Sequence, residues 1–180
     1  MSKKRIGTVW LGGCSGCHMS LLDIDERILE VAKLADIVKC PIVDGKEFPE
    51  VDIALVEGAI TSDEHLKEIL HIRKQSKILI SLGDCAIMTN VTGMRNYFNL
   101  KDVIETSYIG SISNDDAGEV PNHWTLLKLK DKVYPLQEIV EVDYFIPGCP
   151  PTADAIFYVL SELLNDRVPD LSEAKKMKHG

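Results

Sequence analysis

Four short apolar runs rich in Val and Ile, at residues 6–11, 53–56, 78–82 and 142–146, constrain this chain more than any other feature. Each is strand-length, largely apolar and ended by Gly, Pro or a polar residue, the pattern of parallel strands buried on both faces. A fifth run at 37–43 contains Pro41, which suits an edge strand or one that ends early. Helical patterns lie between the runs. Leu21, Ile24, Ile28, Val31 and Ala35 share one face, as do Leu66, Ile69 and Leu70 behind Thr61-Ser62-Asp63-Glu64, which fits a capping box. A last helix is expected at about 152–164, with Ala153, Ile156, Phe157, Leu160 and Leu164 on one stripe and Pro150-Pro151 leading into it. Strands alternating with helices predict an α/β fold, a right-handed, doubly wound parallel sheet with helices on both faces. Residues 97–136 have weaker periodicity and hold Asn114-Asp115-Asp116, Gly118 and Pro121, and read as an irregular excursion.

A chain of 180 residues with 45% hydrophobic and 27% charged content supports one core. The expectation is a single domain over 1–180 with a tail over about 166–180, where Lys175, Lys176 and Lys178 read as solvated. No run approaches the roughly 18 apolar residues of a membrane span. Residues 1–5 are basic but lead into a strand pattern without a cleavage site, so a cytoplasmic location is expected. A net charge of -8 with dispersed Lys and Arg argues against nucleic acid as a partner. Five cysteines in such a compartment point to metal binding or thiol chemistry rather than structural disulfides.

Four of those cysteines fall at one kind of place. Cys14 and Cys17 follow the first run, Cys85 the run at 78–82, and Cys149 the run at 142–146. Strand carboxyl ends are where open α/β sheets bind ligands, so thiols distant in sequence can meet there. Four thiolates can hold a cubane iron-sulfur cluster, one per iron. Gly12, Gly13 and Gly16 would let the first loop turn and bring amides toward the sulfides. In Pro147-Gly148-Cys149-Pro150-Pro151 the residue before proline is held toward extended geometry, giving a stiff ligand loop. Cys-x-x-Cys also describes a thioredoxin-like redox pair, and zinc stays comparable to a cluster on spacing alone. Cys40, between Lys39 and Pro41, has no ligand-like neighbour and reads as a core residue.

Trp10-Leu11-Gly12-Gly13-Cys14-Ser15-Gly16-Cys17-His18, Val56-Glu57-Gly58-Ala59-Ile60, Gly83-Asp84-Cys85-Ala86 and Pro147-Gly148-Cys149-Pro150-Pro151 together resemble the small subunit of nickel-iron hydrogenases. The segments occur in that family's order and the resemblance covers about 6–164. Asn90-Val91-Thr92-Gly93-Met94-Arg95-Asn96 and Tyr134-Pro135-Leu136-Gln137-Glu138 look like its soluble, bidirectional, NAD-reducing branch in particular. The resemblance implies a flavodoxin-like domain holding one 4Fe-4S cluster on Cys14, Cys17, Cys85 and Cys149. That cluster would relay electrons from a nickel-iron centre carried by a large subunit, with no nickel on this chain.

Many members continue into a domain with two more clusters, but no cysteine follows Cys149 here. Electrons would therefore leave to another protein, in this branch a diaphorase module of iron-sulfur and flavin subunits that reduces NAD or runs in reverse. A flavin on this chain itself is not expected, because residues 7–13 lack the dinucleotide fingerprint. Gly13 stands where many periplasmic members carry a glutamate linked to proton transfer. Glu57, in the Val-Glu-Gly segment, is a candidate proton carrier near the large subunit, against a capping or interface carboxylate. His18 and Asp84 flank ligands and read as exposed loop residues, outside the site. The rival families are the 20 kDa-type subunit of NADH:quinone oxidoreductase, which carries adjacent cysteines where this chain has Cys-Ser-Gly-Cys, and small subunits of other cytoplasmic hydrogenases. An apolar surface around the cluster edge is expected, since a relay needs an extensive permanent interface.

Overall fold

In the computed structural model, which describes residues 3–43, 45–114 and 118–170, each apolar run becomes a strand. The strands are β1 (Lys4–Trp10), β2 (Ala35–Lys39), β3 (Val51–Glu57), β4 (Ile60–Ser62), β5 (Ser76–Leu82), β6 (Leu129–Tyr134) and β7 (Tyr144–Ile146). Five of them form one parallel sheet in the order β2-β1-β3-β5-β7. Numbered within that sheet, the order is 2-1-3-4-5, the flavodoxin arrangement, whose topological switch lies between β1 and β3. β2 is an edge strand and stops before Pro41, whose missing N–H suits that place.

The helices are α1 (Gly16–Leu22), α2 (Ile28–Leu34), α3 (Asp63–Gln75), α4 (Asp84–Met88), α5 (Leu100–Tyr108) and α6 (Ala153–Leu164). Because strand side chains alternate, β3 feeds two cores at once. Ile53 and Leu55 pack with Ile6, Ile80, Val31 of α2 and Ile156, Val159 and Leu160 of α6. Ala54 and Val56 pack with Val9, Leu79, Ile69 and Ile72 of α3 and Ala86 of α4. Burying each such Ile or Leu side chain contributes about 1.5–3 kcal/mol, so the central strands carry much of the stability.

Three local features differ from the sequence pattern. The face 21–35 is two short helices separated by a 3₁₀ turn at Asp25–Arg27, with Asp25 at φ 53°, and Ala35 already begins β2. α3 is capped by Ser62, whose hydroxyl accepts from the His65 N–H at 3.1 Å; with His65 at that position, the Thr61-to-Glu64 box does not form. The excursion at 97–136 contains α5 and β6, and β6 pairs antiparallel with β4. Exposed β6, Leu-Lys-Asp-Lys-Val-Tyr, shows too little apolar alternation to announce a strand. Asp115, Asp116 and the lysines at 175, 176 and 178 lie outside the described residues.

Candidate metal centre

Three loops at the carboxyl edge of the sheet are clasped together by their backbones. In the first, after β1, Leu11 donates its N–H to the Glu57 carbonyl at 2.8 Å, and Gly12 and Ala59 exchange backbone bonds at 2.9 and 2.8 Å. The loop lies so close to the end of β3 that a Cβ on Gly12 would stand 2.3 Å from the Thr61 side chain. The left-handed turn into α1 is made by Ser15 at φ 67°, not by Gly12, Gly13 or Gly16. Gly16 instead supplies room, since its Cβ would sit 3.3 Å from Cys14 Sγ. Cys14 is exposed and Cys17, on the first turn of α1, is buried.

The second loop, after β5, turns at Gly83 with φ 82°, and a Cβ there would fall 2.2 Å from Cys17 Sγ. Only glycine fits between the two loops. Cys85 follows on α4, half-buried. Asp84 grips the third loop twice: its N–H donates to the Gly148 carbonyl at 2.9 Å and its carboxylate accepts from the Gly148 N–H at 2.7 Å. The Ser20 hydroxyl on α1 donates to the Pro151 carbonyl, closing the ring of loops. Cys149 is exposed, and the Asn90 side-chain amide donates to its sulfur at 3.2 Å.

The thiols are close enough to act on one another electrically. Burial, then Glu57, then Cys85, Cys14 and Cys149 push the Cys17 thiol up to about 12. Burial also raises Cys85, followed by Cys149, Cys14, Glu57 and Asp84. Yet among the described residues no three His, Cys, Asp or Glu side chains converge closely enough to hold a single metal ion. Cys14, Cys17, Cys85 and Cys149 influence one another electrically at one edge, and an all-sulfur donor set is the chemistry that suits a group taking one thiolate per iron.

The family model for NADH ubiquinone oxidoreductase, 20 Kd subunit, matches residues 14–163. The chain is 42% identical to the NAD-reducing hydrogenase HoxS subunit delta of Cupriavidus necator over 94% of its own length and 82% of that protein's. It is 39% identical to a subunit of the F420-non-reducing hydrogenase of Methanothermobacter thermautotrophicus, over 95% of this chain and only 56% of that one. It superposes with a TM-score of 0.90 and 38% identity on a chain in the crystal structure of an NAD+-reducing [NiFe]-hydrogenase in the H2-reduced state, covering 94% of this chain and 95% of that one. This chain belongs to the nickel-iron hydrogenase small subunits. They are electron-transfer subunits, and theirs is a family that binds iron-sulfur clusters.

Glu57 closes β3 of this small subunit and is 2% exposed. One carboxylate oxygen, Oε2, meets both the backbone N–H of His18 at 2.8 Å and its ring Nδ1 at 2.6 Å. In a neutral ring that donates its Nδ1–H to Glu57, Nε2 is left as an acceptor. Nε2 is buried without a protein partner and faces an apolar cavity of about 160 Å³ lined in part by Trp10, Met19, Leu22 and Ile24. Trp10 also packs edge-on against the His18 ring, with centroids 5.7 Å apart. The other oxygen of Glu57 looks toward Gly13, where a Cβ would stand 3.4 Å away.

Neither His18 nor Asp84 is therefore an exposed loop residue. His18 is buried on α1 beside Cys17, and Asp84 is half-buried and fastens two ligand loops. The signal for the first was present in the sequence: a carboxylate ending an otherwise apolar strand needs a buried partner. Cys40 is not core; it is half-buried and lines the apolar cavity past the end of β2. Among the described residues no helix is long and apolar enough to cross a membrane.

Proposed function

We propose that the chain, as one domain, binds one 4Fe-4S cluster through Cys14, Cys17, Cys85 and Cys149. In this reading it relays electrons between the nickel-iron centre of a large subunit and a diaphorase module that reduces NAD, in either direction. The observation that carries the reading is the meeting of four thiols from three loops at the carboxyl edge of the sheet, held by the Asp84–Gly148 bonds and the Gly83–Cys17 contact. A cluster held there supplies a one-electron carrier. The residues of the chain bind it, shield its Cys17 side beneath Gly83 and leave the Cys14 and Cys149 side open.

That open side has apolar neighbours. Trp10, Met19, Met88 and Val91 flank the ligand loops and are 45%, 59%, 60% and 65% exposed. Exposed apolar side chains grouped at one edge favour a protein partner, here the large subunit. The NAD branch rests on the similarity to the Cupriavidus subunit and to the NAD+-reducing enzyme's chain. A thiol-disulfide exchange role would use only Cys14 and Cys17 and leaves unexplained why Cys85 and Cys149 share their edge. Anaerobic analysis of the complex purified through this chain should find iron and sulfide, nickel on a co-purifying large subunit, and a flavin-bearing NAD-reactive partner. Zinc, or no metal, would defeat the cluster reading.

Glu57 is proposed as a proton carrier at this edge. His18 fixes one oxygen, and the other points into the gap at Gly13, where the resemblance places another carboxylate in many relatives. Glu57→Gln preserves shape and removes the titratable site. It should slow proton-deuteron exchange by the complex by at least tenfold while leaving iron content unchanged; unaltered exchange and turnover would remove Glu57 from the proton path.

A further inference from the structure

The segment Asn90-Val91-Thr92-Gly93-Met94-Arg95-Asn96 supplies no cluster thiol, yet it is bound at almost every polar position. Arg95 donates to the carbonyls of Lys130 at 2.7 Å and Thr61 at 3.1 Å. Asn96 makes two bonds to one residue of β6, donating to the Val133 carbonyl at 2.9 Å and accepting from the Val133 N–H at 2.8 Å. At the other end, Thr92 donates its hydroxyl to the Thr89 carbonyl at 2.6 Å, and Gly93 lies so near Thr89 that a Cβ would be 2.0 Å from its hydroxyl. Thr89 and Asn90 are both left-handed, with φ 67° and 43°. That conformation is a genuine outlier for a β-branched threonine and persists only where surrounding bonds hold it. The product of this anchoring is one contact: the Asn90 amide nitrogen at 3.2 Å from Cys149 Sγ.

We propose that Asn90 sets the reduction potential of the centre, with residues 92–96 acting as its positioning clamp onto the β4–β6 ribbon. This rests on the cluster reading above. Reduction adds one electron and neither makes nor breaks a bond, so the reduced centre is more negative and its sulfurs are better acceptors. A neutral donor aimed at a ligand sulfur stabilises the reduced form more than the oxidised one and raises the potential.

Asn is also tolerated in left-handed backbone for purely conformational reasons, and one substitution separates the two roles. Asn90→Gly keeps that backbone without strain and removes only the amide. An anaerobic, EPR-monitored redox titration of the complex purified through this chain should show a downward shift. A tenfold loss in the reduced-to-oxidised ratio at fixed ambient potential corresponds to about 59 mV for a one-electron couple. Asn90→Asp, which turns a carboxylate toward the sulfur, should shift it further in the same direction. Asn96→Ala, which frees the clamp without touching the amide, should give a smaller downward shift, and carries the test if Asn90→Gly loads iron poorly. The reduced cluster of Asn90→Gly should also lose one exchangeable-deuteron coupling after transfer to D2O. An unchanged or raised potential in fully loaded Asn90→Gly overturns the proposal. Failure of the cluster reading itself would look different: the unsubstituted chain would lack iron and sulfide.

Discussion

Gly83 shows how much of this site is decided by an absent side chain. Its backbone lies at φ 82°, ψ 163°, a region essentially reserved for glycine, and the space a Cβ would need is occupied by Cys17 Sγ. Gly83→Ala should cost about 1–3 kcal/mol in backbone strain alone. The nearer consequence is displacement of a ligand sulfur, so iron and sulfide per chain should fall by more than half while far-ultraviolet circular dichroism stays that of the folded protein. Normal iron content in Gly83→Ala would show that the Cys17 sulfur has freedom the contact denies it. That the four cysteines would gather at one sheet edge was legible in the sequence because each stands beyond a strand end, whereas Gly83 and Asn90 entered only as members of segments that carry the family resemblance, with no role to read. Their roles depend on which loops meet, and loop contact has no one-dimensional period to read.

At the scale of elements, the edge of the sheet opposite the metal centre is fastened by one acid. Asp52, near the start of β3, accepts from the Arg5 N–H on β1 at 2.8 Å and from Lys77 Nζ on β5 at 2.7 Å, so three strands share one carboxylate. The Lys77 hydrogen bond, partly opposed by burial and aided by Arg5, holds Asp52 below the usual carboxylate range. A carboxyl depressed on folding stabilises the protein above its unfolded value, near 3.9, and loses that contribution as pH falls through the folded value. Asp52→Asn should therefore unfold more easily than the unsubstituted chain at pH 6–7, with the gap closing below about pH 4. Urea denaturation at several pH values would measure it; a gap independent of pH would mean that the pair contributes nothing through charge. The five parallel strands were legible because central strands must be apolar on both faces. β6 and α5 were not, because α5 buries no residue fully and β6 is steadied by Arg95 and Asn96 from a distant segment. The helical face at 21–35 ran on in the sequence pattern because periodicity does not register the left-handed break at Asp25.

For the molecule as a whole, the exposed apolar residues Trp10, Met19, Met88 and Val91 flank the loops that carry the exposed thiols, so on the proposed reading docking of the large subunit and electron transfer with it are one geometric problem. Met19→Asp combined with Met88→Asp places two charges among them at positions already 59% and 60% exposed, where folding has little at stake. Co-purification of the large subunit should drop by at least tenfold, equivalent to about 1.4 kcal/mol or more of lost association. Undiminished recovery of the partner would place the interface elsewhere. On the cluster reading, the arrangement of loops would also impose an order on assembly. Two of the proposed donors come from the first loop, but the fourth belongs to the segment beyond β7, a strand of only three residues that comes last in sequence and, among the described residues, pairs solely with β5. Until that strand docks, the emerging polypeptide offers three sulfurs and no closed cage. On that reading, metal delivery would answer a question about completion: a filled centre would certify that the far end of the sheet has arrived.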